Sequence, residues 1–480
     1  MKICLATLHA KPKFTPLAIL YLKAYLLEHH GYAFDAVQIL EFTQDSNQQE
    51  MVDQILATHA GVVGLSCYVW NVKKLMNAAA QVKARAPQTH IVLGGPEVGP
   101  LAASVLRAHP AIDAIVRSEG EIPFPELVAG WRDGIGIAHV RGVSFRRGEE
   151  IVETEDPPIV QDLGRLASPH VARFIDPTGR VICLETQRGC VFRCNFCFYN
   201  KDLAIRNRLF DLDRVKNEIR FWLEQDVAEI YLMDPIFNLN AERAKEICRF
   251  IAAHNHRPIT IHAEIWAEFV DDELARRMSE ANFQFLEVGL QSTDRTALAT
   301  AERRLRLQRF EEGIAHLKKH NLKFEVQLIY GLPGETVSTF KASLNYAHSL
   351  GAYFLAVFPL MILPGTELWR KADGLNLAFD PEPPYFVRSH FSMSASDIEY
   401  GFVVSAAARL LGVSKTIQLL CREPGLTFAD VIDEWIAWQR EEAVPDDVEP
   451  DVKQFLARFC DKRQIAPDFY QGFASWEFRA

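Results

Sequence analysis

The stretch Cys190-Val191-Phe192-Arg193-Cys194-Asn195-Phe196-Cys197 places three cysteines at positions i, i+4 and i+7. It follows an apolar, strand-like run, 181 to 186, so we expect the cysteines to lie on a loop at the carboxyl end of a strand. Three thiolates on one short loop can bind three irons of a [4Fe-4S] cube and leave the fourth iron open to a small molecule. The spacing lacks the four cysteines of ferredoxins and the paired C-x2-C halves of a structural zinc site. The alternative, three loop cysteines that hold no cluster, is less favoured by this spacing.

A C-x3-C-x2-C run with an aromatic residue before the last cysteine resembles the radical S-adenosylmethionine (SAM) superfamily. In that family the open iron chelates the amino and carboxylate groups of SAM, and an electron from the cluster splits a carbon–sulfur bond of SAM. The resemblance implies that Cys190, Cys194 and Cys197 bind the cluster and that the backbone of Phe196 meets the adenine. It also implies an electron donor such as flavodoxin or ferredoxin.

Length and composition limit the class of protein to which these motifs can belong. A chain of 480 residues predicts about three domains, and 49% apolar residues with 24% charged ones predict a globular protein. The net charge of -10, without a basic block, argues against a nucleic-acid partner. No signal peptide and no apolar run of membrane-spanning length stand out, so we expect no membrane partner. Nine cysteines, three of them clustered, fit a reducing cytoplasm.

Residues 1–135 alternate strands with helices. The apolar runs predict strands near 2–8, 34–42, 62–69, 91–93 and 114–116, with helices near 17–28, 47–59 and 72–86 between them. Five such units predict an α/β, doubly wound (Rossmann-like) parallel sheet with helices on both faces. Ligands of such sheets bind outside the carboxyl ends of the strands. On these grounds alone the region is either a flavodoxin-like ligand site or a purely structural domain.

Placed before the cysteine motif, this region resembles the cobalamin-binding domain of cobalamin-dependent radical SAM enzymes. The matching pieces are 64–71, 92–97 and 117–121. The resemblance implies that loop residues hold the corrin ring and the nucleotide tail: Ser66, Tyr68, Gly94, Gly95, Ser118, Glu119 and Gly120. The Asp-x-His-x-x-Gly motif of classical cobalamin domains is absent, and His9 lacks its context. Either cobalamin is bound without a histidine ligand, or this chain has lost it.

Residues 136–180 are predicted to form a bridge, with a short hairpin at 142–153 and a proline-rich linker after it. From 181 to 370 strands and helices alternate again. Strands are expected near 181–186, 229–233, 259–265, 285–291, 324–330 and 354–358, and the first helix near 209–225. Six units are too few for a full TIM barrel and match the partial (β/α)6 barrel of radical SAM enzymes.

Polar residues interrupt these apolar strands at four positions, which are Glu264, Glu287, Gln291 and Gln327. A buried carboxylate needs a partner, because burying it unpaired is costly. SAM supplies a cation, an amino group and ribose hydroxyls. In the family, residues at the ends of the second to fifth strands hold SAM, and here Asp234, Glu264, Glu287 and Gln291 occupy such positions. The alternative is an internal salt bridge, for instance with Arg303 or Arg304.

Residues 371–480 are predicted to form a small, mainly helical C-terminal domain, with helices near 397–412, 428–441 and 449–460. This region resembles a C-terminal domain of uncharacterised function found in one subgroup of cobalamin-binding radical SAM proteins. Its aromatic, histidine and arginine residues either line the substrate cavity or pack over the barrel mouth.

Taken over nearly the whole chain, the resemblance implies a three-part enzyme with a [4Fe-4S] cluster, SAM and cobalamin. The implied reaction is cobalamin-dependent methylation of an unactivated carbon or phosphorus centre in a small-molecule or natural-product substrate. Two alternatives keep the cluster: radical rearrangement, cyclisation or oxidation without methyl transfer, and transfer of the aminocarboxypropyl group of SAM. A non-catalytic iron–sulfur or corrinoid carrier is the alternative from another class. No motif identifies the substrate or a catalytic residue.

Overall fold

The structure is a computed structural model that describes residues 1–170, 174–200, 207–422, 425–442 and 451–464. It contains two large β-sheets, one in each of the two predicted strand-rich regions. In the described ranges, no helix is both long enough and apolar enough to cross a bilayer.

The N-terminal sheet begins with five parallel strands, and its order β2-β1-β3-β4-β5 is a doubly wound order. The strands are β1 (Ile3–His9), β2 (Val37–Thr43), β3 (Val62–Ser66), β4 (His90–Gly94) and β5 (Ala114–Val116). The helices are α1 (Leu17–His30), α2 (Gln48–Ala57), α3 (Val72–Arg85), α4 (Ala102–Ala108) and α5 (Pro123–Arg132). Helix α1 ends at Gly31, whose left-handed backbone (φ 66°) lets its N–H bond the carbonyl of Leu26. The predicted doubly wound sheet is confirmed.

The predicted hairpin does not belong to a bridge between domains. Its strands β6 (Val143–Arg147) and β7 (Glu150–Glu153) continue the N-terminal sheet, with β6 antiparallel to β5. The hairpin itself forms as predicted, and it lies at the edge of the N-terminal sheet and not apart from it. Strand β5 would otherwise leave a row of unpaired N–H and C=O groups at a sheet edge, and β6 satisfies them.

The second sheet has six parallel strands in the order β15-β14-β13-β12-β11-β8. They are β8 (Val181–Leu184), β11 (Glu229–Leu232), β12 (Thr260–Ile265), β13 (Leu286–Gln291), β14 (Phe324–Tyr330) and β15 (Phe354–Pro359). Between β8 and β11 lies a short antiparallel pair, β9 (Gln187–Arg188) and β10 (Arg208–Leu209). The helices are α6 (Leu212–Leu223), α7 (Ala241–His254), α8 (Asp272–Glu280), α9 (Arg295–Thr300), α10 (Leu307–Lys319), α11 (Val337–Ser349) and α12 (Glu367–Lys371).

Burial alternates along β12, β13 and β14, as expected for strands with one face on helices and one on a lumen. In β12, Ile261, Ala263 and Ile265 are buried, whereas His262 and Glu264 are only partly covered. The same alternation in the next two strands puts polar side chains on the inner face of an open barrel. The predicted partial barrel is confirmed.

Each open edge of this barrel is covered by another part of the chain. At the β8 edge, the N–H of Thr15 donates to the carbonyl of Val181 and the N–H of Val181 donates to that of Lys13, at 3.0 and 2.9 Å. At the β15 edge, helix α13 (Ala395–Leu411) packs along the strand. The remaining elements are β16 (Ala378–Phe379), β17 (Val387–Ser389), α14 (Lys415–Leu420), α15 (Phe428–Glu441) and α16 (Val452–Lys462). Their buried side chains join the core of the barrel, so the C-terminal region closes that core.

Polar contacts fasten the N-terminal sheet to both later regions. Arg180, just before β8, pairs with Glu41 at the end of β2, with 2.9 Å from Nη1 to Oε1. The hydroxyl of Tyr385 in the C-terminal region donates to Glu97 in the loop after β4, at 2.5 Å. Both carboxylates are mostly buried, so these bonds hold the loops of the N-terminal sheet against the barrel.

Candidate active site

A cavity of about 450 Å³ lies where the loops of the N-terminal sheet meet the start of the barrel. All seven residues predicted for cobalamin line it, namely Ser66, Tyr68, Gly94, Gly95, Ser118, Glu119 and Gly120. Residues that follow β8 and β11 form the facing wall, among them Glu185, Tyr199 and Pro235. The structure therefore brings the predicted loops together and joins them to the barrel. The cavity lining comes from residues 17–124 and 185–235, and the described C-terminal residues pack elsewhere.

At Gly95 the backbone itself forms part of the cavity wall. Its φ of 109° lies in a region that side chains rarely adopt, and a Cβ there would sit 2.4 Å from the carbonyl oxygen of Cys67. Only glycine fits such a position. The neighbouring loop after β3 is held by buried Asn71, whose Oδ1 accepts from the N–H of Tyr68 at 2.7 Å. Gly95 and Asn71 thus fix the backbone of the loops that lie over the strand ends.

The cavity lining is mostly apolar and carries a few polar groups. Leu65, Val92, Val116 and Phe124 cover much of the sheet side. The hydroxyl of Ser118 is buried and has no hydrogen-bond partner in the described structure. An apolar pocket of this size with a few convergent polar groups is typical of small-molecule sites, and an orphaned hydroxyl suits a ligand acceptor or donor.

A network of charged residues borders the cavity. Arg188 pairs with Glu121 at 2.7 Å and with Glu185 at 2.9 Å. Arg208 pairs with Glu119 at 2.6 Å. Burial raises the pKa of Glu185, and the positive charge of Arg188 counteracts this shift. The network ties the loop after β5 to the segment that leads into the cysteines.

The three cysteines occupy the loop after β9, as predicted. Cys194 is buried, and Cys190 and Cys197 are partly exposed. Burial raises the pKa of Cys197 to about 12, and its N–H donates to the carbonyl of Cys194 at 3.1 Å. In the described residues, no three His, Cys, Asp or Glu side chains converge as ligands of one metal ion. In a [4Fe-4S] cube each of three irons binds one cysteine sulfur. The three sulfurs therefore need not converge on a single metal ion.

Arg303 supports this loop from the side of β13. Its Nη1 lies 3.7 Å from Sγ of Cys194, and its Nη2 donates to the carbonyl of Gly289. The guanidinium also lies 4.4 Å from the ring centre of Trp266, on which Phe192 stacks. Arg303 thus links the cysteine loop to β13 and Trp266, and neither Arg303 nor Arg304 forms a salt bridge with Glu264 or Glu287 in the described residues.

Three carboxylates lie in register on neighbouring strands of the barrel lumen. Glu264 is paired across the sheet with Glu287, and Glu287 with Glu325. Adjacent strands lie about 4.8 Å apart, so these like charges are close. Gln327 bridges two of them, because its Nε2 donates to Glu287 and to Glu325 at 2.9 Å each. Tyr231 donates to Glu287 at 3.0 Å.

The lumen therefore has an excess of negative charge. Burial raises the pKa of Glu264 to about 8, and the charge of Glu287 adds to the effect. Burial likewise raises the pKa of Glu325. A cation in the lumen would relieve both the burial cost and the repulsion. The sulfonium group of SAM is a cation of suitable charge for this site.

Asp234 does not join this group. It is fully buried, and its Oδ1 accepts from the N–H groups of Thr186 and Gln187 at 2.7 and 3.1 Å. Its Oδ2 accepts from the hydroxyl of Thr186 at 2.5 Å. This carboxylate ties the end of β11 to the end of β8, and its predicted role toward SAM stays a prediction.

Gln291 and Phe196 are the remaining residues predicted for SAM. Gln291 ends β13 with a left-handed backbone (φ 71°). Its Nε2 lies only 2.6 Å from the position that a Cβ on Gly289 would take. Phe196 is partly buried and packs on the barrel core. Their roles toward SAM stay predictions.

Sequence reasoning missed several site residues, among them Glu185, Arg188, Tyr199 and Tyr231. Arg188 directly precedes the glycine before the first cysteine, and Tyr231 carries a hydroxyl within the apolar run of β11, so both could be noticed in the sequence. Nothing in the local sequence indicated Glu185 or Tyr199, because they face the cavity only in the folded chain.

Two family models match the chain, "B12 binding domain" over residues 3–128 and "Radical SAM superfamily" over residues 184–347. The chain is 29% identical to the cobalamin-dependent radical SAM methyltransferase TokK of Streptomyces tokunonensis, over 67% of this chain and 49% of that protein. It is 25% identical to the anaerobic magnesium-protoporphyrin IX monomethyl ester cyclase of Rubrivivax gelatinosus, over 80% of this chain and 70% of that protein. The match spans about half the length of TokK and of the 2-(S-pantetheinyl)-carbapenam-3-carboxylate methyltransferase of Streptantibioticus cattleyicolor.

Among solved structures, the radical SAM methyltransferase TsrM of Kitasatospora setae, with cobalamin and a [4Fe-4S] cluster bound, superposes with a TM-score of 0.66. The match has 17% identity and covers 84% of this chain and 82% of that one, so it shows the fold. With both domains present in order, the chain belongs to the cobalamin-binding-domain family of radical SAM enzymes. Its cofactors are a [4Fe-4S] cluster, SAM and cobalamin.

The residues present fit these cofactors. The three cysteines offer the thiolates that iron–sulfur clusters require. The glycine-walled cavity with the orphaned hydroxyl of Ser118 offers a surface for a corrinoid. His9 lies away from that surface, since its Nε2 bonds Glu41 at 2.7 Å.

Proposed function

We propose that this protein is a radical SAM enzyme that methylates an unactivated centre of a small molecule with the help of cobalamin. The observation that carries the proposal is the shared cavity. Its walls come from the loops of the N-terminal sheet and from the segment of the barrel that carries the cysteines. Family membership and the curated methyltransferase relatives support the same reading.

When bound, the cluster supplies the electron that cleaves SAM, and cobalamin supplies the methyl group. The chain itself has three tasks in this proposal. Cys190, Cys194 and Cys197 hold the cluster. Glu264 and Glu287 hold the sulfonium group of SAM in the lumen, with Gln327 orienting Glu287. The apolar cavity lining excludes water from the reacting groups.

The cluster assignment is tested with a Cys194→Ala variant. Anaerobically reconstituted wild type should bind about four irons per chain and form 5′-deoxyadenosine from SAM under dithionite. The variant should lose the intact cluster and this cleavage, because one of three irons loses its thiolate. Cys421→Ala is the matched control, since Cys421 lies outside the cysteine loop. A Cys194→Ala protein that keeps the full cluster and SAM cleavage contradicts the assignment.

A second candidate is radical chemistry without methyl transfer. The observation that favours it is the likeness to a protein named as a cyclase, over 80% of this chain. Product analysis with candidate substrates separates the two reactions. S-adenosylhomocysteine together with 5′-deoxyadenosine indicates methylation, and 5′-deoxyadenosine alone indicates other radical chemistry. Methylthioadenosine as the main product indicates aminocarboxypropyl transfer, and no turnover indicates a carrier.

A further inference from the structure

The barrel side of the cavity carries a carboxylate with one unused oxygen. Glu185 directly follows β8, at the carboxyl end of the strands, where the active sites of barrels lie. Its Oε2 accepts from Nε of Arg188 at 2.9 Å. Among the described residues, no group donates a hydrogen bond to its Oε1. The side chain lines the cavity and is 21% exposed, so this oxygen is available to a ligand there.

The charges around Glu185 are not balanced. Arg188 also pairs with Glu121, at 2.7 Å, and Glu121 is buried. In the part of the chain that the structure describes, Arg188 is the only cationic side chain within 4.0 Å of either carboxylate, so one guanidinium serves two carboxylates. Burial raises the pKa of Glu185, and the charge of Glu121 adds to this shift although Arg188 opposes it. A second cation beside Glu185 would relieve both the burial cost and the repulsion.

The wall around Glu185 leads from the cavity toward the lumen of the barrel. Met233 and Pro235, which follow β11, give this wall an apolar surface. Tyr199 lies on the same wall. Burial raises the pKa of Tyr199, and the nearby charges of Glu264 and Glu185 add to this shift. Glu185 therefore lies close to the place where a substrate has to sit if it is to reach both the corrinoid and SAM.

We propose that Glu185 binds a protonated amine of the substrate, so that the substrate of this enzyme is an organic ammonium ion with an apolar body. The inference rests on the proposed function and names the substrate class of the same site. The amide groups of a corrinoid can also donate to Oε1, but they are neutral and leave the excess negative charge in place. An ammonium ion donates the hydrogen bond and supplies the missing positive charge. Such charge-assisted hydrogen bonds are about twice as strong as neutral ones.

The test measures the binding of three probes of similar size, which are cyclohexylmethylammonium, cyclohexylmethanol and cyclohexanecarboxylate. The protein is reconstituted, loaded with hydroxocobalamin and SAM, and kept with an oxidised cluster so that SAM is not cleaved. Ligand-observed NMR gives the three dissociation constants. Wild type should bind the ammonium probe at least about tenfold more tightly than the alcohol, because a hydrogen bond to a charged group contributes more than a neutral one. The carboxylate should bind most weakly.

Glu185→Gln should bind the ammonium probe about tenfold more weakly than wild type and should bind the alcohol equally well. Its uptake of hydroxocobalamin and its SAM affinity should stay unchanged. Glu224→Gln is the matched control and should behave like wild type, because Glu224 is exposed at the end of α6, outside the cavity lining. If Glu185→Gln does not fold, Glu121→Gln takes its place. Arg188 then serves Glu185 alone, so the preference for the ammonium probe should fall several-fold.

Four results overturn the inference. The first is equal affinity of wild type for the ammonium probe and the alcohol. The second is an unchanged preference in Glu185→Gln, or in Glu121→Gln where that variant is used. The third is a loss of hydroxocobalamin or SAM affinity in Glu185→Gln, because Glu185 would then serve a cofactor. The fourth is equal weakening by Glu224→Gln, because the effect would then follow net charge.

Failure of the proposed function is a separate result. It appears as wild-type protein that forms no 5′-deoxyadenosine from SAM under dithionite. Binding of the three probes is measured without that reaction, so the two failures are distinguishable.

Discussion

The cavity of the N-terminal sheet and the lumen of the barrel are lined by different kinds of residues. The cavity has glycine and apolar walls, and its arginines and carboxylates pair with each other at the border. The lumen instead holds three carboxylates in register, with tyrosine and glutamine as neutral partners. The cavity therefore suits a large, flat ligand that makes close backbone contact, and the lumen suits a cation. These are the two separate surfaces that we propose for a corrinoid and for SAM.

The largest effect is expected from a substitution that disrupts the cavity and leaves the lumen intact. Gly95→Val should abolish corrinoid binding, because its side chain cannot coexist with the carbonyl of Cys67 without displacing the loop. Iron content and SAM cleavage under dithionite should persist. The measurement is corrinoid uptake from excess hydroxocobalamin, followed by absorbance after desalting. Gly31→Ala is the matched glycine control, since a Cβ at Gly31 meets nothing within 4 Å.

If Gly95→Val does not fold, Ser118→Ala tests the same surface with a smaller change. Removing the orphaned hydroxyl should weaken corrinoid binding by about 1 kcal/mol, or several-fold in affinity. Unchanged corrinoid affinity in both variants would mean that the cavity serves another ligand.

The second prediction concerns the lumen. At pH 9, where Glu264 is ionised, Glu264→Gln should weaken SAM binding by about 1.5–3 kcal/mol, the range for a hydrogen bond to a charged group, and should leave corrinoid uptake unchanged. Glu229→Gln is the control at the other end of the lumen, where Glu229 contacts His262. Isothermal titration of anaerobic protein with SAM gives both affinities. Equal losses in the two variants would contradict a specific role for Glu264.

The pH dependence sharpens this second prediction. With its pKa raised to about 8, Glu264 is mostly protonated at pH 7 and ionised at pH 9. SAM affinity in wild type should therefore rise with pH by up to about tenfold over this range, and Glu264→Gln should lack that rise. Stability should change in the opposite direction. A carboxyl with a raised folded pKa stabilises the fold at low pH, and this contribution is lost as the pH rises through about 8.

The smallest effect is expected at the junction of the two regions. His9→Ala should leave the absorption spectrum of bound corrinoid unchanged, because His9 bonds Glu41 outside the cavity. It should lower the free energy of unfolding by about 0.5–1.5 kcal/mol through loss of one hydrogen bond. A chemical-denaturation curve and a visible spectrum measure the two quantities. A changed corrinoid spectrum would place His9 at the cofactor after all.

Much of this architecture could be predicted from local sequence patterns. Strand and helix periods, together with the cysteine spacing, indicated both parallel sheets and the loop of Cys190. The failures depend on tertiary partners. The strand at Val143 looked like part of a free hairpin, because nothing local shows that β5 needs a partner at its edge. Asp234 had the expected position for a SAM ligand, but it also bonds Thr186, which follows β8 and is distant from Asp234 in the sequence.

The central claim is that the cavity and the cysteine loop serve one reaction on one substrate, each with its own cofactor. The most direct measurement is the product ratio in a reaction of reconstituted, corrinoid-loaded protein with SAM and candidate substrates. The account predicts S-adenosylhomocysteine and 5′-deoxyadenosine together with methylated product. Gly95→Val should stop methylation and leave 5′-deoxyadenosine. Full methylation by Gly95→Val protein without corrinoid, or methylthioadenosine as the dominant product, would contradict the account.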